Sequence, residues 1–297
     1  MEDSMRAIGS SCIGKVCEVH HLGGPWDVFE ERVEGRGLQP SPFLKIGELV
    51  EPVIAELGMQ KMAEKGYHFH LRPGTKKGDG TTLTRFREFH GVGFRDTPDF
   101  TLSESKGHRK VLMVGEIKLV RNPADKDLYG EDWSQELPEG YLVQAQFHCF
   151  FYQVDVCVVF VSFGLYGAPK IYLVKADDEK IARMIKQAAD WWKAHVEKRV
   201  PPPIDATEAC ATYLKHQQMR DESIRDCTQE EFARAIEMGQ RRQLISELQS
   251  KDKADQNFFR EQVGDLRGIR FGEKSTITST PNKHGTRTLR LSLKELL

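Results

Sequence analysis

The run VDVCVVFVSFG, residues 154–164, constrains this chain more than any other stretch. It is apolar and rich in β-branched residues, and it falls well short of the roughly 18 residues that suggest a membrane span. Such a run suits a buried strand, and a buried strand needs a sheet around it. Further strand-like stretches lie at 82–90, 98–103, 111–120 and 170–175. Helical patterns alternate with them. Over 41–65, Ser41 can cap, Pro42 suits the first turn, and Ile46, Leu49, Val53 and Leu57 recur at helical spacing, with a kink expected at Pro52. Residues 139–153 form a second helical pattern. Asp177 caps a third, with Ile181, Ile185, Ala188, Trp192 and Val196 along one face. The order is helix, a run of strands, helix, two strands, helix. That predicts an α/β (α+β) fold, a mixed central sheet flanked by helices.

Pro201, Pro202 and Pro203 end this part, and the character then changes. Residues 205–266 are charged and mostly helical in pattern, and Thr228 with Glu231 makes a capping box. Residues 268–293 alternate enough to suggest a terminal hairpin turning at Pro281, Asn282 and Gly285. The expectation is a core over 1–204 and, over 205–297, a helical extension and basic hairpin packed on it. Residues 76–82 look like a mobile turn. Residues 122–140 are polar and long enough to serve as a functional loop or lid.

Of the 297 residues, 39% are hydrophobic and 29% charged, as in an ordinary soluble domain, and the net charge of −1 does not point to nucleic acid. Distribution matters more than the sum. Arg267, Arg270, Lys274, Lys283, Arg287, Arg290 and Lys294, against Glu273 and Glu295, form a basic patch suited to phosphate contact. The six cysteines are scattered, which predicts reduced thiols and a cytoplasmic protein. No secretory signal or membrane span is expected. Cys12, Cys17, His20 and His21 are poorly spaced for zinc, and Cys210 and Cys227 do not make an iron–sulfur cluster motif.

The chemistry concentrates between residues 85 and 119. Asp99 follows Pro98 on one strand, and Glu116, Ile117 and Lys118 end the next. Alternation along a strand puts Glu116 and Lys118 on one face and turns Ile117 to the core. A hairpin would bring Asp99 and Glu116 together as a hard-oxygen site for Mg²⁺ or Mn²⁺. Such a site serves phosphodiester hydrolysis, with Lys118 orienting or deprotonating water or balancing charge. Glu116 and Lys118 taken alone are also readable as an exposed ion pair. Gln146 competes with Gln144 for a place in the site, and Glu88 reads as solvent-facing.

These residues resemble the motif of the PD-(D/E)xK nucleases, which implies a restriction-endonuclease-like fold. Gly47 and Glu51 upstream, Tyr141 and Gln144 downstream, the segment from Asp177 to Asp205, and the opening stretch from Arg6 to Ser11 are similar to the lambda-exonuclease and YqaJ-like viral recombinase family. That resemblance implies Asp99, Glu116 and the Ile117 carbonyl as metal ligands, with Glu51 serving a second ion or a bound water. It implies Lys118 for the nucleophile and Gln144 for the scissile phosphate. It puts Arg6, Ser11 and Thr97 at the 5′-phosphate of a DNA end. The implied activity is ATP-independent, two-ion, Mg²⁺-dependent 5′→3′ exonuclease digestion of linear duplex. The implied partners are double-stranded DNA ends, a single-strand annealing protein and, as a trimeric ring, copies of itself. The alternatives are a structure-specific or single-strand endonuclease on the same fold, or an inactive protein that binds DNA ends.

Overall fold

The computed structural model describes residues 7–20, 23–36, 42–74, 83–107, 110–120, 122–164, 167–216, 223–271, 274–281 and 285–292. Arg6, His21, Ser41, the 76–82 turn, Asn282, Lys283 and Lys294 lie outside them, so the expectations placed there have no structural counterpart. The chain divides into two compact units, Met1–Gln218 and Met219–Leu297.

In chain order the first unit holds β1 (Ala7–Gly9), α1 (Ser10–Val16), α2 (Pro25–Arg32), α3 (Pro42–Glu64), β2 (His70–Pro73), β3 (Arg85–Phe89), β4 (Val92–Asp96), β5 (Phe100–Ser103), β6 (Met113–Val120), α4 (Glu139–Tyr152), β7 (Val156–Phe163), β8 (Lys170–Lys175), α5 (Asp178–Trp191) and α6 (Glu208–Lys215). The expected 154–164 strand becomes β7, at the heart of a five-stranded sheet ordered β2-β5-β6-β7-β8. The β6–β7 pair is parallel and the other pairs are antiparallel, so the sheet is mixed. A second, three-stranded sheet is ordered β1-β4-β3.

Strand alternation sorts the core into two. Val158 and Phe160 of β7 and Ile117 of β6 pack with Ile54 and Met62 of α3. Cys157, Val159 and Val161 of β7 and Val114 of β6 pack with Ala145, Phe147 and Cys149 of α4. Thus α3 and α4 cover opposite faces of the sheet, and the even-numbered positions of β6, Glu116 and Lys118 among them, face α4. On α5, Asp177 caps by accepting from the Lys180 N–H at 3.0 Å, and Ile181, Ile185 and Ala188 are buried, as is Trp192 just beyond its end. In α6, Tyr213 packs its ring 4.7 Å from that of Trp26, whose Nε1 donates to the Pro203 carbonyl.

Two expectations are corrected. On α3, the stripe of Ile46, Leu49, Val53 and Leu57 is exposed, because Ile54 and Met62 supply the face that meets the sheet. Pro52 lies inside this helix. The 122–140 segment is not a free lid. Trp133 N–H donates to the Ile171 carbonyl and Leu173 N–H to the Ser134 carbonyl, while Asp132 accepts from Ile171 N–H and pairs with Lys61. It covers the open edge of β8, satisfying backbone groups that an edge strand leaves bare.

The second unit holds α7 (Gln229–Val263), β9 (Gly268–Phe271), β10 (Ser275–Pro281) and β11 (Arg287–Ser292). The expected capping box forms, Thr228 accepting from Glu231 N–H and Glu231 from Thr228 N–H. The expected hairpin gains a third strand, for β10 pairs with both β9 and β11. No helix among the described residues is long and apolar enough to cross a membrane.

Candidate active site

The site forms where β5 leaves the sheet. Phe100 pairs with Gly115, and there the β5–β6 ladder ends. Pro98 has no N–H to extend it. The Asp99 side chain fills the gap, its Oδ2 accepting from Ile117 N–H at 2.6 Å. The N–H and C=O of one residue in an extended strand point to the same side, so the Ile117 carbonyl also faces this edge. Gly115 is required by close approach, since a Cβ there would lie 2.0 Å from Phe100 Cζ.

On the α4 side of β6, Lys118 Nζ donates to Glu116 Oε1 at 2.6 Å and to Gln144 Oε1 at 3.0 Å. Gln144 Nε2 donates to Glu116 Oε1 at 2.8 Å. The Lys118 ammonium also lies 4.9 Å from the centre of the Tyr141 ring. Sequence reasoning missed two partners, His148 and Asp96. His148 Nε2 bonds Glu116 Oε2 at 3.0 Å and its Nδ1 bonds Asp96 Oδ1 at 2.8 Å. One signal pointed there: His148 lies four residues after Gln144, hence on the same face of α4.

Electrostatics follow from this geometry. Burial opposes the charge on Glu116, but Lys118 and His148 outweigh it and hold the carboxyl at about 2. Burial likewise opposes a charged His148, yet Asp96 and Glu116 raise its pKa to about 10. Burial disfavours the Lys118 ammonium too, and the Glu116 and Asp99 charges override it and raise its pKa. Asp99 behaves oppositely. Burial first, and then the Glu116 charge, push its pKa well above the usual carboxylate value, with only partial relief from Lys118 and the Ile117 N–H.

The remaining expected residues are placed differently. Glu51 and Thr97 line a cavity of about 840 Å³ with Asp99 and Ile117, bounded by α3. Thr97 Oγ1 shares a hydrogen bond with Thr84 Oγ1 at 2.8 Å. Glu51 therefore approaches Asp99 from the α3 side, while Glu116 projects toward α4. Ser11, on α1, is exposed, its hydroxyl 3.9 Å from Cys12 Sγ, and it makes no hydrogen bond to the cluster. Gln146 is not in the site, for it donates to the Lys175 carbonyl and accepts from Asp177 N–H. Glu88 is exposed. Among the described residues, no three or more His, Cys, Asp or Glu side chains make a ready metal cage.

No protein-family model and no curated protein matches the chain. Solved structures do resemble it. An alkaline exonuclease, LHK-Exo from Laribacter hongkongensis, is 14% identical with a TM-score of 0.47, over 72% of this chain and 94% of that one. The same enzyme in complex with dAMP is 14% identical with a TM-score of 0.46, over 67% and 91%. The protein SSO0001 is 12% identical with a TM-score of 0.40, over 68% and 88%. At that level of likeness no activity passes from those proteins to this one.

Of the expected basic patch, Arg287 is engaged structurally. It donates to the carbonyls of Gly264, Leu266 and Ser279, closing the C-terminal end of α7. Arg270 pairs across from Thr276, and Arg290 across from Thr278. Directly opposed residues share a face, so both arginines stand with Thr276 and Thr278 on the face away from buried Ile277.

Proposed function

We propose that this chain is a divalent-cation-dependent DNA nuclease. Its preferred substrate in this reading is a linear duplex, digested without ATP from the 5′ end to leave a 3′ single strand. One observation carries the proposal. The carboxylates of Asp99 and Glu116 are gathered at one sheet edge with Lys118 and Gln144, and Asp99 is left electrostatically unbalanced.

The donor set fits a hard cation. Asp99 Oδ1 has no hydrogen-bond partner among the described residues. A dication beside it would offset the burial and the Glu116 charge that now disfavour its ionised form. Asp99, Glu116 and the Ile117 carbonyl would hold the ion. Mg²⁺ is commonly held by one or two carboxylates together with waters and substrate phosphate, so the lack of a complete protein cage suits it. When bound, the ion supplies an activated water and charge neutralisation at the phosphate. The protein groups do the rest. Lys118 has three N–H donors, two of them engaged with Glu116 and Gln144, and its third is available to orient a water or a phosphate oxygen. Gln144 holds Lys118 and Glu116 in register. The exposed Arg270 and Arg290 supply sequence-independent contact with the phosphate backbone.

The test is a time course on duplexes labelled at either end, set against a closed circle and a flap, with and without Mg²⁺. Mg²⁺-dependent loss of the 5′ label from linear duplex is expected, with the circle intact. Asp99→Ala and Glu116→Ala should each abolish cleavage. Cutting of closed circles at the linear rate contradicts the exonuclease reading, and end binding with no cleavage at any salt contradicts the enzyme.

A further inference from the structure

We infer that Asp96 and His148 are positioning residues that fix Glu116 for a cation, a buried relay running from the smaller sheet to the site. The inference rests on the nuclease proposal and deepens it. His148 and Asp96 are both fully buried at 0% exposure. Both ring nitrogens of His148 are engaged, one by each carboxylate, so the imidazole cannot turn without breaking a buried bond. Glu116 Oε1 already accepts from Lys118 and Gln144, and Oε2 accepts from His148. A carboxylate offers about four lone-pair directions. One therefore remains, on Oε2, and His148 sets where it points.

Packing alone does not account for the arrangement. Among the described residues Asp96 Oδ2 is buried without a hydrogen-bond partner, a cost that an apolar side chain of similar size avoids. Phe94, two residues earlier and so on the same face of β4, packs its ring against Phe147, which packs against Phe151, an apolar setting for a carboxylate. Asp96 ends β4, three residues before Asp99, so one short segment delivers a cation ligand and the anchor of the other ligand's support. Hydrogen-bond partners of ligating carboxylates typically contribute 10–100-fold to metal affinity or activity.

The experiment titrates Mn²⁺ calorimetrically into the DNA-free full chain, for wild type, Asp96→Asn, His148→Gln and the double variant, with thermal melting and duplex cleavage measured alongside. Each single variant should bind Mn²⁺ about 10–100-fold more weakly. Because Asp96 acts through His148, Asp96→Asn should add little in the His148→Gln background. Losses that simply add overturn the relay. So does unchanged Mn²⁺ affinity in a folded variant, even one that melts lower, since that result marks a purely structural role. If wild type neither binds Mn²⁺ nor cuts DNA, the nuclease reading falls and the relay with it. If wild type does both and the variants match it, the relay alone falls.

Discussion

Glu116 accepts three hydrogen bonds, from the buried Gln144 and His148 and the half-buried Lys118, and its ionisation is tied to the fold. A carboxyl held near 2 against an ordinary 4.5 contributes stability above about 4.5 that is lost as pH falls toward 2. His148, at about 10 against 6.5, contributes stability below about 6.5 that is lost as pH rises toward 10. Asp99, raised well above its ordinary 3.8, acts opposite to Glu116, lowering stability as pH rises above about 3.8 because its ionisation is costly in the folded state. The melting temperature of the metal-free protein should therefore decline from about pH 6.5 to 10, and less steeply in His148→Gln. A wild-type profile flat over that range contradicts the assignment. The two glutamines of α4 separate stability from chemistry. Gln146→Leu removes the bonds to the Asp177 N–H and the Lys175 carbonyl, which water can partly replace, and should cost about 1 kcal/mol in all. Cleavage per folded molecule should survive. Gln144→Leu removes bonds to Glu116 and Lys118, so it should lower stability as well, but with a large loss of turnover per folded molecule.

At the scale of elements, the β5–β6 hairpin is where the fold becomes chemistry. Gly115 lets Phe100 lie flat across β6, and Phe100 is the residue after Asp99. Gly115→Ala must displace that ring. It should destabilise by about 1–3 kcal/mol, the usual range for overpacking, and lower cleavage further by moving Asp99. Denaturant melts alongside a rate at saturating Mg²⁺ test both halves, and an unchanged rate would show that Asp99 does not depend on this packing. The hairpin was legible in sequence, because an apolar strand ending in two charges and a Pro-Asp opening define its ends. The α3 face was not. Ile46, Leu49 and Val53 share a stripe by spacing, but spacing does not say which stripe meets the sheet. The 122–140 segment reads as a lid because it is polar. Only the bare edge of β8 explains why it is pinned instead.

At the scale of the whole molecule, the net charge of −1 makes the local distribution decisive. The outer face of the second unit's sheet carries Arg270 and Arg290, while Arg287 closes α7. Replacing Arg270 and Arg290 together by Gln should weaken DNA binding alike for all sequences. It should also reduce the salt slope by roughly 2, about 0.9 for each phosphate no longer neutralised. Arg287→Gln should instead lower the melting temperature of that unit. An unaltered salt slope in the double variant removes this face from the DNA interface.

By itself, the sequence determined the strand and helix order, the mixed sheet and the grouping of Asp99, Glu116 and Lys118, because these follow from local periodicity and from residues close in the chain. Only the tertiary structure decided that Gln144 rather than Gln146 meets Glu116, that Glu51 approaches from the α3 side, and that Asp96 and His148 stand behind the cluster. Those facts depend on which face of a helix meets which face of a sheet. That choice is made by burial across the whole core, and no local pattern records it.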